Sequence, residues 1–158
     1  MKPRIYIETS VIGYLTSRPS RDFTSVTRQE FTRQWWDLCH SAFDPVISTL
    51  VMREVSRGDT NAAQKRIEAC AGLECLIVTD EAIELAERLM REGLVPLTEP
   101  EDATHIALAS TEKLDYIATW NFTHMVGPQQ KFKLQLRLNE WGCHVPLLAT
   151  PEDLLEIL

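Results

Sequence analysis

Long apolar runs are missing from this sequence of 158 residues. The opening stretch Met1-Lys2-Pro3-Arg4-Ile5-Tyr6-Ile7-Glu8 reaches a carboxylate after only three apolar residues. A signal peptide needs a longer apolar stretch, and no later segment approaches a membrane span. Cysteine is sparse too: Cys39, Cys70, Cys75 and Cys143 show no C-x-x-C spacing. None has a His at zinc-finger distance, although Cys39-His40 and Cys143-His144 are adjacent. The expectation is four reduced thiols in a cytoplasmic protein, mostly buried as small hydrophobes, with no structural zinc. Basic charge is in deficit, with 16 Lys and Arg against 23 Asp and Glu and a net charge of −7. That argues against a duplex-DNA binder working by blanket phosphate neutralisation. Repeats and low-complexity stretches are also lacking, and the length suits one domain spanning 1–158 that can bury a core unaided.

The charge is unevenly spread. Residues 1–66 carry a net of +3, residues 80–115 a net of −7, and residues 116–139 again +3 with no acid at all. The total therefore does not exclude RNA. Short apolar runs alternate with helical patterns. Ile5–Ile7, Pro45–Ser48, Leu76–Val78 and Tyr116–Thr119 read as strands, and His144–Leu148 reads as an edge strand because of Pro146. Between them, Phe31, Trp35, Leu38 and Ala42 recur on one helical face. The helix opened by Asp80 turns Ala82, Ile83, Ala86, Leu89 and Met90 inward, with Glu84–Arg88 and Glu87–Arg91 pairs outward. Alternating strands and helices predict an α/β fold, a mainly parallel sheet of four to five strands flanked by helices.

In such sheets ligands sit at the carboxyl ends of the strands. The first strand ends in Glu8-Thr9-Ser10, the second in Ser48-Thr49 with Glu54 in the helix that follows, and the fourth in Thr119-Trp120-Asn121. The linker 93–99 is long enough to return the chain to that edge, placing Asp102 in the first turn of the next helix. Three carboxylates and one amide can thus converge. Crowded carboxylates take up protons or hold a cation, and all-oxygen donors suit Mg²⁺ or Mn²⁺. Such a cation activates water and neutralises a phosphodiester under attack.

Each residue alone also has an ordinary reading. Thr98-Glu99-Pro100-Glu101-Asp102 shares its helix-opening grammar with Thr150-Pro151-Glu152-Asp153, so Asp102 reads equally as a cap-region acid. Glu54 alone is a helix-surface carboxylate, and Asn121 a turn residue. Glu8 is odd at the end of an apolar strand, where its propensity is poor. His105 shares a helix face with Asp102 and reads as a packed histidine or a ligand, while His40, His124 and His144 suggest no partner. Trp35, Trp36, Trp120 and Trp141 could stack bases but read first as core or interface.

Taken together, Glu8-Thr9-Ser10-Val11-Ile12, Ser48 to Val55, Asp102 to Ala109, Tyr116 to Phe122 and the closing Thr150 to Leu155 resemble the PIN-domain family. Within that family they resemble the small single-domain VapC-type toxins of type II toxin–antitoxin systems. The resemblance implies a parallel sheet sandwiched by helices and a Mg²⁺- or Mn²⁺-dependent endoribonuclease. Its metal-site residues would be Glu8, Glu54, Asp102 and Asn121, with the hydroxyls of Ser10 and Thr119 beside them. It further implies a cognate antitoxin and a homodimer. Arg53, Arg57, Lys131, Lys133 and Arg137 are the candidates for contacts with the RNA backbone. Two departures stand out: Glu8 replaces the usual Asp, and Asn121 replaces an acid. Both also suit a degenerate module that binds RNA or a partner without cutting. A receiver or haloacid-dehalogenase fold fits less well, for want of paired acids on one strand and a downstream Lys.

Overall fold

The computed structural model describes residues 1–121 and 128–158; Phe122 and His124 lie outside them. In chain order the elements are β1 (Arg4–Ile7), α1 (Thr9–Thr16), α2 (Phe23–Ala42), β2 (Asp44–Ser48), α3 (Thr49–Val55), α4 (Thr60–Cys70) and β3 (Glu74–Leu76). They continue as α5 (Asp80–Arg91), α6 (Pro100–Thr111), β4 (Tyr116–Ala118), α7 (Pro128–Glu140), β5 (Leu147–Ala149) and α8 (Pro151–Glu156). Among the described residues, no helix is long and apolar enough to cross a membrane.

The five strands form one sheet in the order β3-β2-β1-β4-β5, and every neighbouring pair is parallel. Parallel strands need crossovers, which the helices supply. β1 is central, and Ile5, Tyr6 and Ile7 are all buried, as a strand covered on both faces requires. Trp35 and Cys39 of α2, Leu89 of α5 and Ile106 of α6 belong to the core around it. From β1 the chain builds outward through β2 to β3, then returns to add β4 on the other side of β1. The carboxyl ends of β1 and β4 therefore flank the point where strand order reverses, the place where such sheets open a crevice.

Most helices start on a side-chain cap: Asp22 for α2, Ser48 for α3, Asp59 for α4, Thr79 for α5 and Thr150 for α8. Each accepts a hydrogen bond from a backbone N–H that the helix cannot pair itself.

Several expectations need correction. The third strand covers Glu74–Leu76, not Leu76–Val78, and Ile77 is 73% exposed. Leu76 pairs with Ser48, where β2 already turns into α3; beyond it there is no strand to pair with. The helix opened at Asp80 buries Leu85 while Ile83 faces outward, and its cap is Thr79. No ion pair joins Glu84 to Arg88 or Glu87 to Arg91 among the described residues. Instead the Arg88 guanidinium lies 3.8 Å over the Trp141 ring, a planar contact that competes with an exposed i,i+4 pair. Of the four free cysteines only Cys39 and Cys70 are buried, and Cys75 is exposed on the edge strand.

Candidate active site

Glu8 is the first residue past β1 and serves as the N-cap of α1, accepting from the Ser10 N–H at 3.0 Å. Its poor strand propensity is thereby accounted for: it is not in the strand. A Glu is an uncommon cap, yet this one is only 3% exposed and its carboxylate is surrounded by donors. The Ser10 hydroxyl donates to Oε1 at 2.5 Å and the Thr119 hydroxyl donates to the same oxygen. Asn121 Nδ2 reaches Oε2 at 3.4 Å, so the amide nitrogen, not its oxygen, faces the acid. Ser10 Oγ also accepts from the Trp120 N–H at 2.9 Å, and Thr119 Oγ1 from the Asn121 N–H at 3.0 Å. The structure thus brings together Glu8, Ser10, Thr119 and Asn121, at the junction of β1 and β4.

Glu54 lies at the same edge, on α3. Its Oε1 accepts from the Thr9 hydroxyl at 2.6 Å and is 2.7 Å from His105 Nε2. His105 is 1% exposed, so the packed-histidine reading is the observed one, but the packing is polar. Its Nδ1 lies 2.6 Å from Tyr6 Oη, which lies 2.7 Å from Ser48 Oγ, which accepts from the Val51 N–H at 3.2 Å. With Nε2 donating to Glu54, Nδ1 accepts from Tyr6 and Tyr6 from Ser48, leaving every buried polar atom of the row partnered. Burial works against ionised Glu54, but the hydrogen bond and charge of His105 and the Thr9 hydroxyl bring its pKa down to about 2. Burial likewise opposes the imidazolium; the hydrogen bond to Glu54 and the charges of Glu8, Glu54 and Asp102 outweigh it and raise the pKa of His105. Burial pushes the Tyr6 phenol upward, keeping it a neutral hydrogen-bonding group.

Asp102 sits in the first turn of α6, which has no side-chain cap bond. Among the described residues its carboxylate has no hydrogen-bond or ion-pair partner. Burial and then the charges of Glu8, Glu99 and Glu54 raise its pKa from 3.8 to about 6, with His105 opposing. Asp102 is therefore within electrostatic reach of both other candidate acids.

The remaining candidates are more dispersed. Arg53 is exposed on α3 and lines a surface cavity of about 310 Å³ with Thr49 and Thr104. Arg57 pairs with Glu101 at 3.1 Å, Arg137 with Glu140 at 2.9 Å, and Lys131 Nζ donates to the Leu148 carbonyl at 3.0 Å. Lys133 is exposed on α7. His144 does have a partner, the Leu114 carbonyl at 2.8 Å, and His40 packs edge-on against Trp36. Sequence reasoning missed Thr9, Tyr6 and Ser48 as members of the row. A tyrosine between two isoleucines of a central strand was the available signal, since its hydroxyl had to find a buried partner.

The three carboxylates offer oxygens, which fit a hard divalent cation better than zinc, while Asn121 turns its amide nitrogen to Glu8. Asp102 is an unpartnered, half-buried carboxylate that feels the charges of Glu8, Glu99 and Glu54. Glu8 and Glu54, by contrast, spend their oxygens on protein hydroxyls and on His105. Accordingly, no three His, Cys, Asp or Glu side chains among the described residues stand in an arrangement that holds a metal ion. Occupation of the site would exchange some of those hydroxyl bonds for a cation.

The fold is one seen before. It is similar to VapC20 of Mycobacterium tuberculosis, a toxin described as cleaving the sarcin–ricin loop. The TM-score is 0.59 at 19% identity, over 75% of this chain and 90% of that one. It is also similar to VapBC2 of Rickettsia felis, solved on a DNA fragment from its promoter. Here the TM-score is 0.57 at 16% identity, over 92% of this chain and 98% of that one. At these identities the likeness is one of fold, and it bears out the PIN-like α/β/α sandwich expected from the sequence. No family model and no curated protein sequence matches the chain.

Proposed function

We propose that the chain is a metal-dependent endoribonuclease, the toxin of a toxin–antitoxin pair, acting in the cytoplasm with Mg²⁺ or Mn²⁺. One observation carries this reading: Asp102 is an unpartnered, half-buried acid whose proton affinity is raised by burial and then by the charges of Glu8, Glu99 and Glu54, in a fold shared with an RNA-cleaving toxin. Asp102, Glu8 and Glu54 would hold the cation, with Asn121 completing the set. When bound, the cation would supply charge neutralisation at the scissile phosphate and acidify a water. The protein's own part is positional. Ser10 and Thr119 fix the Glu8 carboxylate, His105 and Thr9 fix that of Glu54, and α6 presents Asp102 to both. Arg53 is the basic side chain placed to meet substrate phosphate from α3. An antitoxin partner and a homodimer belong to the same reading.

The test is direct. Purified chain with Mn²⁺ should cleave single-stranded RNA, and Asp102→Ala should abolish both cleavage and growth inhibition on expression. Absence of cleavage, or inhibition that survives Asp102→Ala, overturns the proposal. A second reading, a PIN-like module that binds RNA or a partner without cleavage, is favoured by the engagement of Glu8 with three protein side chains. Calorimetric Mn²⁺ binding that disappears in Asp102→Ala would count against it.

A further inference from the structure

On the α2 side of the β4 end, a small cleft of about 270 Å³ is lined by Phe23, Arg28, Phe31, Trp120 and Glu152, with two threonines of α2. It adjoins the carboxylate cluster through one backbone step. Trp120 follows Thr119, whose hydroxyl binds Glu8, and its own N–H is held by Ser10 Oγ. The Trp120 indole is not free to move, because Nε1 donates to Thr32 Oγ1 at 2.8 Å. It serves as the wall on which Arg28 rests: the guanidinium carbon lies 5.4 Å from the Trp120 ring centroid and 5.7 Å from that of Tyr14. Arg28 Nη1 also donates to the Tyr14 hydroxyl at 3.2 Å. A side chain that usually loses much rotamer freedom on binding is thus already ordered.

Phe23 lines the same cleft, 84% exposed at the first turn of α2. A phenyl ring of that exposure buries little surface against the fold. Glu152, exposed in the first turn of α8, brings a carboxylate to the rim. Among the described residues it has no hydrogen-bond or ion-pair partner.

Two aromatic rings, an ordered guanidinium and a free acceptor define a ligand that is flat, π-rich and edged with N–H donors. We propose that this cleft seats one unstacked nucleobase of the RNA strand whose backbone lies at the carboxylates. The inference rests on the ribonuclease reading and deepens it by naming a specificity subsite. Phe23 and Arg28 provide the stacking surface, the usual means by which single-stranded RNA is held. Glu152 accepts from the base edge. Guanine offers two adjacent donors, the imino N–H and the amino group, to match the two carboxylate oxygens; uracil offers one. The preferred base is therefore guanine.

The test uses the full chain and RNA oligonucleotides of equal length, one all uridine and one with a single guanosine. Binding is read by fluorescence anisotropy in the Asp102→Ala background, and cleavage with Mn²⁺ in the parent. The guanosine oligonucleotide should bind more tightly. Phe23→Ala should weaken its binding by roughly five- to a hundredfold, raise KM more than it lowers kcat, and be rescued by Phe23→Tyr. Glu152→Gln should erase the preference for guanosine. Unchanged binding in Phe23→Ala, or a preference that persists in Glu152→Gln, overturns the proposal. So does a Phe23→Ala effect confined to the binding of a protein partner. Should the parent bind these oligonucleotides through Phe23 yet cleave none of them, the subsite stands and the ribonuclease reading falls. Should it neither bind nor cleave, both fall.

Discussion

Two helices of this chain open on nearly the same letters and are built differently. α8 begins Thr150-Pro151-Glu152-Asp153, and there the grammar closes on itself. The Thr150 hydroxyl accepts from the Asp153 N–H at 3.1 Å, and the Asp153 carboxylate accepts from the Thr150 N–H at 3.0 Å. α6 begins Thr98-Glu99-Pro100-Glu101-Asp102, with one residue more between threonine and proline. That residue, Glu99, takes the N-cap position and makes no side-chain cap bond. Thr98 is displaced from the helix end, and Asp102 is left without the partner that Asp153 has. The acid that stays unsatisfied is the one whose pKa is raised by burial and by the charges of Glu8, Glu99 and Glu54. Nearly the same local code thus produces a capping acid in one place and an unpartnered one in the other, and a single inserted residue separates them.

The comparison can be broken most severely at the acids themselves. Asp102→Ala should lower RNA cleavage by more than the roughly 10- to 100-fold that loss of an outer-shell group costs, whereas Asp153→Ala should leave the rate untouched. Gel-based cleavage of one oligonucleotide by both variants checks this. Deleting Glu99 should convert α6 to the grammar of α8, draw Asp102 into a capping box, and depress cleavage while the chain remains folded. Retention of full activity in that deletion would show that the inserted residue is incidental.

A third expectation concerns pH. The pKa of Asp102 stands at about 6 in the folded chain, against an ordinary 3.8. The native state therefore binds its proton more tightly than the unfolded state does. Its contribution to stability is full below about pH 4 and is lost as pH rises through about 6. Glu54, lowered to about 2 from 4.5, has the opposite sign: its contribution is present above 4.5 and lost as pH falls toward 2. Melting temperature followed from pH 4 to 7 should fall in the parent, fall less in Asp102→Asn, and recover with Mn²⁺. The smallest effects belong to the threonines. Thr150→Ala should cost about 1 kcal/mol in urea unfolding as a lost cap. Thr98→Ala should stay within about 0.5 kcal/mol, as an exposed residue with no cap to lose.

Much of this was legible in the residues. A central strand with apolar side chains on both faces has one common outcome, and β1, β2 and β4 lie within a residue of where their apolar runs put them, while β5 starts three residues later than expected. Glu8 and Glu54 could be placed because strand ends dictate their location. β3 slid because apolar character at Ile77 and Val78 promises a strand only where a neighbour remains to pair with, and β2 had already ended. Arg88 left its helical partners for Trp141, which local spacing does not contain. The row through His105 escaped for the same reason: Tyr6 and His105 are 99 residues apart, and their meeting is a property of the sheet order.

That row has a consequence of its own. With His105 neutral, Ser48 donates to Tyr6 and Tyr6 donates to the ring. Adding one proton to the imidazole turns the ring into a donor on both nitrogens, so Tyr6 must accept from it and donate onward to Ser48. The two hydroxyl hydrogens would then point the other way along the row. The message ends at Ser48, the residue on which α3, and hence Glu54, is mounted. One unbroken row of hydrogen bonds therefore joins Glu54, His105 and Tyr6 to the residue that caps α3.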